Sequence, residues 1–291
     1  MERLRRSRIY LPGNRPRMIQ KGPVLGADAA ILDLEDSVSP EQKDAARILV
    51  HRALRMINFG HTEVMVRINP ISHSGLIDLA AILPAGPDAV VVPKCENRTD
   101  VLVVENAINE AGLAKPVSIL PMIETAKGIL NAYEIASASP MVDAITFGGE
   151  DFTRDIGATR TKGGKEIFWG RSLVVIAAKA ARVQALDTVF SDLSDEVGLR
   201  QDTIEIKEMG FDGRAAIHPS QIEIIHECFT PSENEMEYAV NVVCAAEKAR
   251  KEGSGVAVVK GKMIDKPIIQ RAEKIISFAE RLGVSVPAPT I

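Results

Sequence analysis

The chain is built on a recurrence. Short, apolar, β-prone runs alternate with longer stretches of helical pattern through most of its length. Eight runs stand out, at residues 7–12, 29–34, 63–68, 89–94, 119–123, 145–147, 185–190 and 214–217. They are near-continuous in apolar residues rather than alternating, as parallel strands buried on both faces should be. Helical patterns fall between them at about 15–25, 40–57, 98–111, 125–136 and 172–184, with a short one after Ser74 and another ending near Gly210. Pro219 opens one that reaches about Phe229. Ser39 followed by Pro40 reads as a hydroxyl N-cap with proline in the first turn. Eight strand–helix units in roughly 230 residues fit a (β/α)8 barrel. A doubly wound sheet is the alternative, but the Gly-rich phosphate turn it would more often carry after its first strand is not there.

The expected fold class is therefore α/β, a (β/α)8 TIM barrel over residues 1–230. A C-terminal helical and hairpin extension occupies 231–291. Its pattern is a helix over 233–251 ending at Gly253, a β-like run at 255–259, a turn at 260–262, then Met263, Ile264 and Asp265, and a helix from about Pro267 to Leu282. A barrel does not need this extension, so it is expected to pack on a neighbouring subunit.

Hydrophobic residues are 46% and charged residues 25% of the chain, the balance of a soluble globular enzyme with a large core. A net charge of −4 gives no footprint for nucleic acid. Arg3, Arg5, Arg6 and Arg8 read as a solvated or salt-bridged segment. No apolar run approaches the ~20 residues of a membrane span, and the first residues lack a signal peptide's apolar region. Cys95, Cys228 and Cys244 are odd in number and in no metal-type spacing, so they are expected to be reduced and structural in a cytoplasmic protein.

Chemistry concentrates where strands end. The sixth run breaks at Gly148-Gly149 and at once presents Glu150 and Asp151; the fifth ends at Glu124. Glycines let backbone N–H groups approach a ligand, and carboxylates hold hard cations. In a barrel, all strand ends on this side converge on the active site. Glu35, Asp36, Arg67, Asn69, Lys94, Asp192 and His218 join the set there. Glu124 is read as a metal ligand, or as the cap of the helix starting at Thr125. Asp151 is read likewise, with Glu150 and Asp155 as competitors. Arg67 either pairs with Glu35 or Asp36, or grips a substrate carboxylate with its planar fork. Lys94 is equally a site or a structural group. His218 reads as a helix-capping group, Glu35 and Asp36 as groups that orient water or Arg67, and Trp169 as packing or an entrance wall. Carboxylates without histidine suit Mg2+ rather than Zn2+.

Several segments in order resemble the citrate lyase β-subunit-like group of the HpcH/HpaI aldolase/citrate lyase family. They are RSRIYLPGNRPRM at 6–18, LDLEDSVSPEQKDAAR at 32–47, VRIN at 66–69, VPK at 92–94 and PMIETAKGI at 121–129. FGGEDFTRDIGATRT at 147–161, ALDTVFSD at 185–192, GFDGRAAIHPSQI at 210–222 and GKMIDKPIIQRA at 261–272 complete the set.

The resemblance implies a barrel that is a homotrimer or hexamer and binds Mg2+ through Glu124 and Asp151. It implies reversible cleavage of a citryl-, malyl- or citramalyl-type thioester to an acetyl thioester and a 2-oxo acid, citryl-CoA being the first choice. Arg67 matches the arginine that holds the substrate carboxylate, with Glu124 and the backbone at Gly149 and Glu150 beside it. Asp265 matches an acid that reaches a neighbouring subunit's site, its alternative being a turn-stabilising aspartate. Pro12, Gly13, Arg15, Pro16 and Lys21 keep a PGxRPxxxxxK pattern in which Arg15 and Lys21 would contact coenzyme A. Segment 147–192 looks closest to citrate lyase β-subunits, which act on an acyl carrier protein in a complex with a transferase subunit. Thioesterase or malate-synthase-like activity in the same site is a further alternative.

Overall fold

The structure, a computed structural model, describes residues 3–251, 257–259 and 261–290. Gly253, Gly255, Val256 and Lys260, assigned above to a helix stop, a strand start and a turn, lie outside the described residues. The chain divides into two compact units, Met1–Phe229 and Thr230–Ile291.

The first unit is a closed barrel of eight parallel strands in sequence order. They are β1 (Ser7–Pro12), β2 (Ala29–Asp33), β3 (Glu63–Arg67), β4 (Ala89–Val92), β5 (Ser118–Ile123), β6 (Ala144–Phe147), β7 (Gln184–Asp187) and β8 (Gly213–Ala216). Pairing of β8 with β1 closes the ring. Outside it run α1 (Pro16–Lys21), α2 (Lys43–Met56), α3 (Gly75–Ile82), α4 (Arg98–Glu110), α5 (Ala126–Leu130) and α6 (Ala132–Ala136). Then come α7 (Gly149–Asp155), α8 (Lys165–Ala181), α9 (Glu196–Met209) and α10 (Ser220–Phe229).

The apolar runs are two-sided because both faces of the sheet are covered. Ile31, Met65, Val91, Leu120, Met122 and Leu186 form one buried cluster, inside the barrel. Their chain neighbours, such as Leu32, Val66, Val90, Val92 and Ile119, belong to another, under the helices. Arg5 is buried at the amino ends of the strands, where it bonds Glu63, Asp143 and Gln184. The opposite, carboxyl ends are the side on which a (β/α)8 barrel builds its active site.

Several helices depart from their sequence pattern. The one expected at 125–136 is two, because Asn131 leaves helical geometry and donates its side-chain amide to the Glu96 carbonyl (2.8 Å). The one expected from Ser172 begins earlier, at Lys165, and stops where Arg182 turns left-handed (φ 61°). Ser39 makes no capping hydrogen bond; one 3-10 turn at Pro40–Gln42 precedes α2. Residues after Gly148, expected only as a carboxylate-bearing break, form α7.

The second unit contains α11 (Glu233–Lys251), the antiparallel strands β9 (Ala257–Val259) and β10 (Lys262–Ile264), and α12 (Lys266–Arg281). Ala239, Val242, Ala257, Val259, Ile264 and Ala272 form its core. No helix of the described residues is long and apolar enough to cross a membrane.

Candidate metal centre at the barrel mouth

Glu124 follows β5 directly and is buried. Its Oε1 accepts the Lys94 backbone N–H at 2.8 Å, and among the described residues it accepts no other hydrogen bond. The capping role is filled by Thr125, whose hydroxyl accepts from Gly128 N–H (3.0 Å). Glu124 is thus left free for a ligand. A Cβ at Gly148 would press on Glu124 Oε2 and come within 2.6 Å of its Cβ. Gly148 is therefore the residue that lets β6 pass this carboxylate, its N–H meanwhile bonding the Ile123 carbonyl (3.0 Å).

Asp151 stands in the first turn of α7, immediately beyond that glycine. It is mostly buried, with Oδ2 3.6 Å from Lys94 Nζ and Oδ1 3.1 Å from the exposed Arg154. Its competitors turn elsewhere. Asp155 accepts the Ala126 N–H (2.7 Å), and Glu150 is exposed and pairs with Arg160 (3.3 Å).

The Gly149 N–H is taken by the Thr188 hydroxyl at 3.0 Å. The N–H groups of Glu150 and Asp151 have no partner among the described residues.

Arg67 ends β3. Its Nε and Nη2 lie on Asp33 Oδ1 and Oδ2 at 2.6 and 2.8 Å, so the paired edge is already engaged. Nη1 stands 2.9 Å from Glu35 Oε2, an ion pair out of line for a hydrogen bond. Asp36 is exposed and further off, at 3.8 Å. The guanidinium lies over the Tyr10 ring, 4.8 Å from its centroid. Burial pushes the Asp33 carboxyl up, but Arg67 and the N–H groups of Ser37 and Glu35 outweigh it and hold it below the ordinary range.

Lys94 closes the chain of contacts. Its Nζ donates to Glu35 Oε1 at 2.7 Å. Burial opposes its charge, yet Glu35, Glu124 and Asp151 hold its pKa above that of an ordinary lysine. Arg67, Glu35, Lys94, Asp151 and Glu124 thus form one connected cluster. Asp33, Glu35, Glu124 and Asp151 face Arg67 and Lys94, with exposed Asp36 and Arg154 cancelling each other. With every carboxyl ionised these four acids would outnumber the two cations, an excess that protonation relieves where a carboxyl's pKa is raised. Burial first, then Glu35 and Asp151, push the Glu124 carboxyl up to about 8. Burial also raises Glu35.

A divalent cation answers this imbalance. The donors are oxygens, and no group of three His, Cys, Asp or Glu side chains among the described residues forms a closed cage. A pair of carboxylates with places left for water and substrate fits Mg2+.

The remaining strand-end residues have other tasks. Asn69 donates to the Leu34 carbonyl and to Asp78. Asp192 bonds Ser194, and His218 bonds Ser220. Trp169 is exposed on α8, edge-on to Phe168. Arg15 and Lys21 are exposed at the two ends of α1, with no ion partner among the described residues. Asp265 belongs to the second unit, where it caps α12 by accepting the Ile268 N–H (3.2 Å).

Sequence reasoning missed Asp33 and Lys43. Asp33 sits inside an apolar run and reads as part of the strand, although a lone carboxylate in a two-sided buried strand is itself a signal. Lys43 donates to the Leu34 and Glu35 carbonyls at 2.7 and 2.6 Å and so braces the turn that carries Glu35.

The model of the HpcH/HpaI aldolase/citrate lyase family matches residues 6–219. The chain is 39% identical over 284 residues to the citrate lyase subunit beta of Leuconostoc mesenteroides subsp. cremoris, covering 96% of this chain and 94% of that protein. It is 37% identical over 291 residues to the mitochondrial citramalyl-CoA lyase of Mus musculus, covering 94% and 86%. Among solved structures, protein CitE from Mycobacterium tuberculosis in complex with magnesium, acetoacetate and coenzyme A matches with a TM-score of 0.80. That match has 30% identity and covers 96% of this chain and 100% of the other.

Proposed function

Because this chain belongs to the HpcH/HpaI aldolase/citrate lyase family, we propose that its barrel mouth cleaves a citryl-, malyl- or citramalyl-type thioester to an acetyl thioester and a 2-oxo acid. It is an oxo-acid lyase that uses Mg2+, with coenzyme A as the carrier of its substrate and citryl-CoA as the first choice. The observation that carries the reading is Glu124, a buried carboxylate with one hydrogen bond among the described residues, beside Glu35 and Asp151.

Glu124 and Asp151 hold the metal. When bound, Mg2+ supplies Lewis acidity that lowers the pKa of the substrate hydroxyl and stabilises developing oxyanion charge. Arg67 binds a substrate carboxylate through Nη1, while Asp33 and the Tyr10 ring fix the guanidinium plane. The N–H groups of Glu150 and Asp151, without a partner among the described residues, add donors to the same carboxylate. As the hydroxyl passes its proton to solvent water, its C–O bond becomes C=O and the adjacent C–C bond breaks. The electron pair passes to the thioester's α-carbon as an enolate. Asp265 of a neighbouring copy delivers a proton to that carbon and, in the condensing direction, removes it. This places the second unit over the mouth of another subunit, in a homotrimer or hexamer. Three free cysteines support a reducing compartment, the cytoplasm.

Arg15 and Lys21, exposed and without an ion partner among the described residues, support diphosphate binding and hence free coenzyme A. A second reading, action on a carrier-protein thioester within a complex, is favoured by the identity to a citrate lyase subunit beta. Purified chain assayed with citryl-, malyl- and citramalyl-CoA and with a citryl thioester of an acyl carrier protein, with and without Mg2+, separates the two. Metal-dependent release of oxaloacetate, glyoxylate or pyruvate with acetyl-CoA supports the first. Turnover only of the carrier-protein thioester supports the second, and none on either overturns both.

A further inference from the structure

Lys94 has a backbone that L side chains rarely adopt: φ is 52°, one of two positive values at non-glycine positions among the described residues. The other, Arg182, merely ends a helix. A strained residue persists where its surroundings over-determine it. Here the turn lets one residue serve three acids. The backbone N–H faces Glu124 Oε1, while the side chain doubles back to Glu35 and reaches Asp151.

The two side-chain contacts differ in strength. The 2.7 Å bond to Glu35 is a charge-assisted hydrogen bond; the 3.6 Å approach to Asp151 is an ion contact only. The ammonium can therefore give up Asp151 and keep Glu35. The side chain is one-third exposed, so it has solvent to move toward.

We propose that Lys94 is a counter-ion of the metal-free centre, its ammonium sharing Asp151 with the exposed Arg154 until Mg2+ takes that carboxylate from it. The inference rests on Glu124 and Asp151 being the metal ligands. Its consequence is that Lys94 opposes metal binding even as it supports the fold. Metal affinity is then held low by a positive charge inside the site, and Lys94 acts as a positioning residue for Glu35 and Asp151.

The test is Mg2+ binding by calorimetry without thioester, on the wild type, Lys94→Met, Lys94→Gly and Glu124→Gln, with melting curves of the metal-free proteins. Glycine suits the left-handed turn and keeps the backbone N–H, so Lys94→Gly removes the ammonium without strain. Both Lys94 variants are expected to bind Mg2+ about tenfold more tightly or better. Metal-free Lys94→Met melts below the wild type, and saturating Mg2+ raises its melting point more than it raises the wild type's. A purely structural lysine predicts weaker metal binding in both variants. Unchanged or weaker binding in Lys94→Gly, with Glu124→Gln impaired, overturns the counter-ion and leaves the ligands standing. A wild type that binds no Mg2+, or a Glu124→Gln that binds normally, overturns the metal centre and this inference with it.

Discussion

Arg67 is clamped by Asp33: Nε and Nη2 meet the two carboxylate oxygens at 2.6 and 2.8 Å across neighbouring strands β3 and β2. The pair sits in register at the carboxyl ends of both strands, so it fixes where the remaining edge of the guanidinium points. Replacing Asp33 by Ala removes the bidentate partner of a buried cation, leaving it Glu35, and should cost about 3 kcal/mol of stability. Urea denaturation reads this as a lower midpoint at unchanged slope. Arg67→Lys offers an ammonium in place of a planar fork, and the residual donor shifts. A drop of about 10²-fold in kcat/KM is expected, with KM rising; kinetics equal to the wild type would assign Arg67 to the fold alone.

Gly148→Ala tests the closeness of β5 and β6 at Glu124. The glycine has φ −108°, which alanine adopts freely, so the added methyl acts through contact and not backbone strain. It would push on the Glu124 carboxylate. Mg2+ affinity and turnover should both fall, turnover by about 10²-fold, for a stability loss of about 1–3 kcal/mol. Normal metal affinity would show that Glu124 Oε2 is not a ligand atom.

The Glu124 carboxyl is raised from its ordinary range to about 8, first by burial and then by Glu35 and Asp151. A raised folded pKa means the native state resists ionisation that the unfolded chain accepts. This contribution to metal-free stability is fully present below about pH 4.5 and is lost as pH rises through about 8. Mg2+ competes with that proton. Its affinity should rise by about tenfold per pH unit between pH 6 and 8 and level off above, with one proton released per ion below pH 8. Calorimetry in buffers of different ionisation enthalpy counts the proton; a flat profile would contradict the raised carboxyl.

Asp265 combines two tasks that Asn and Ala separate. The side chain caps α12, and asparagine caps about as well as aspartate, whereas alanine costs about 1 kcal/mol. Asp265→Asn should keep its melting point and bind metal normally, yet lose turnover and the exchange of acetyl-CoA methyl protons with solvent. Full exchange by this variant would remove Asp265 from the proton transfer.

The barrel was legible because its strands are buried on both faces, which writes them as unbroken apolar runs such as 89–92. Glu124 and Asp151 were legible as carboxylates just past two such runs. What stayed hidden depends on contacts distant in sequence. Helix α7 starts at a glycine pair that reads as a break; Thr188, 39 residues on, satisfies its first N–H. The Arg67 fork reads as open until β2 places Asp33 beside it. The left-handed turn at Lys94 has no local signature, because lysine is not a residue that favours it.

Mn2+ titration followed by electron paramagnetic resonance asks whether Glu124 and Asp151 share one divalent ion. The wild type should bind one Mn2+ per chain that Mg2+ displaces, while Glu124→Gln and Asp151→Asn each lose that site without unfolding. Undiminished binding by either variant would remove that carboxylate from the metal site.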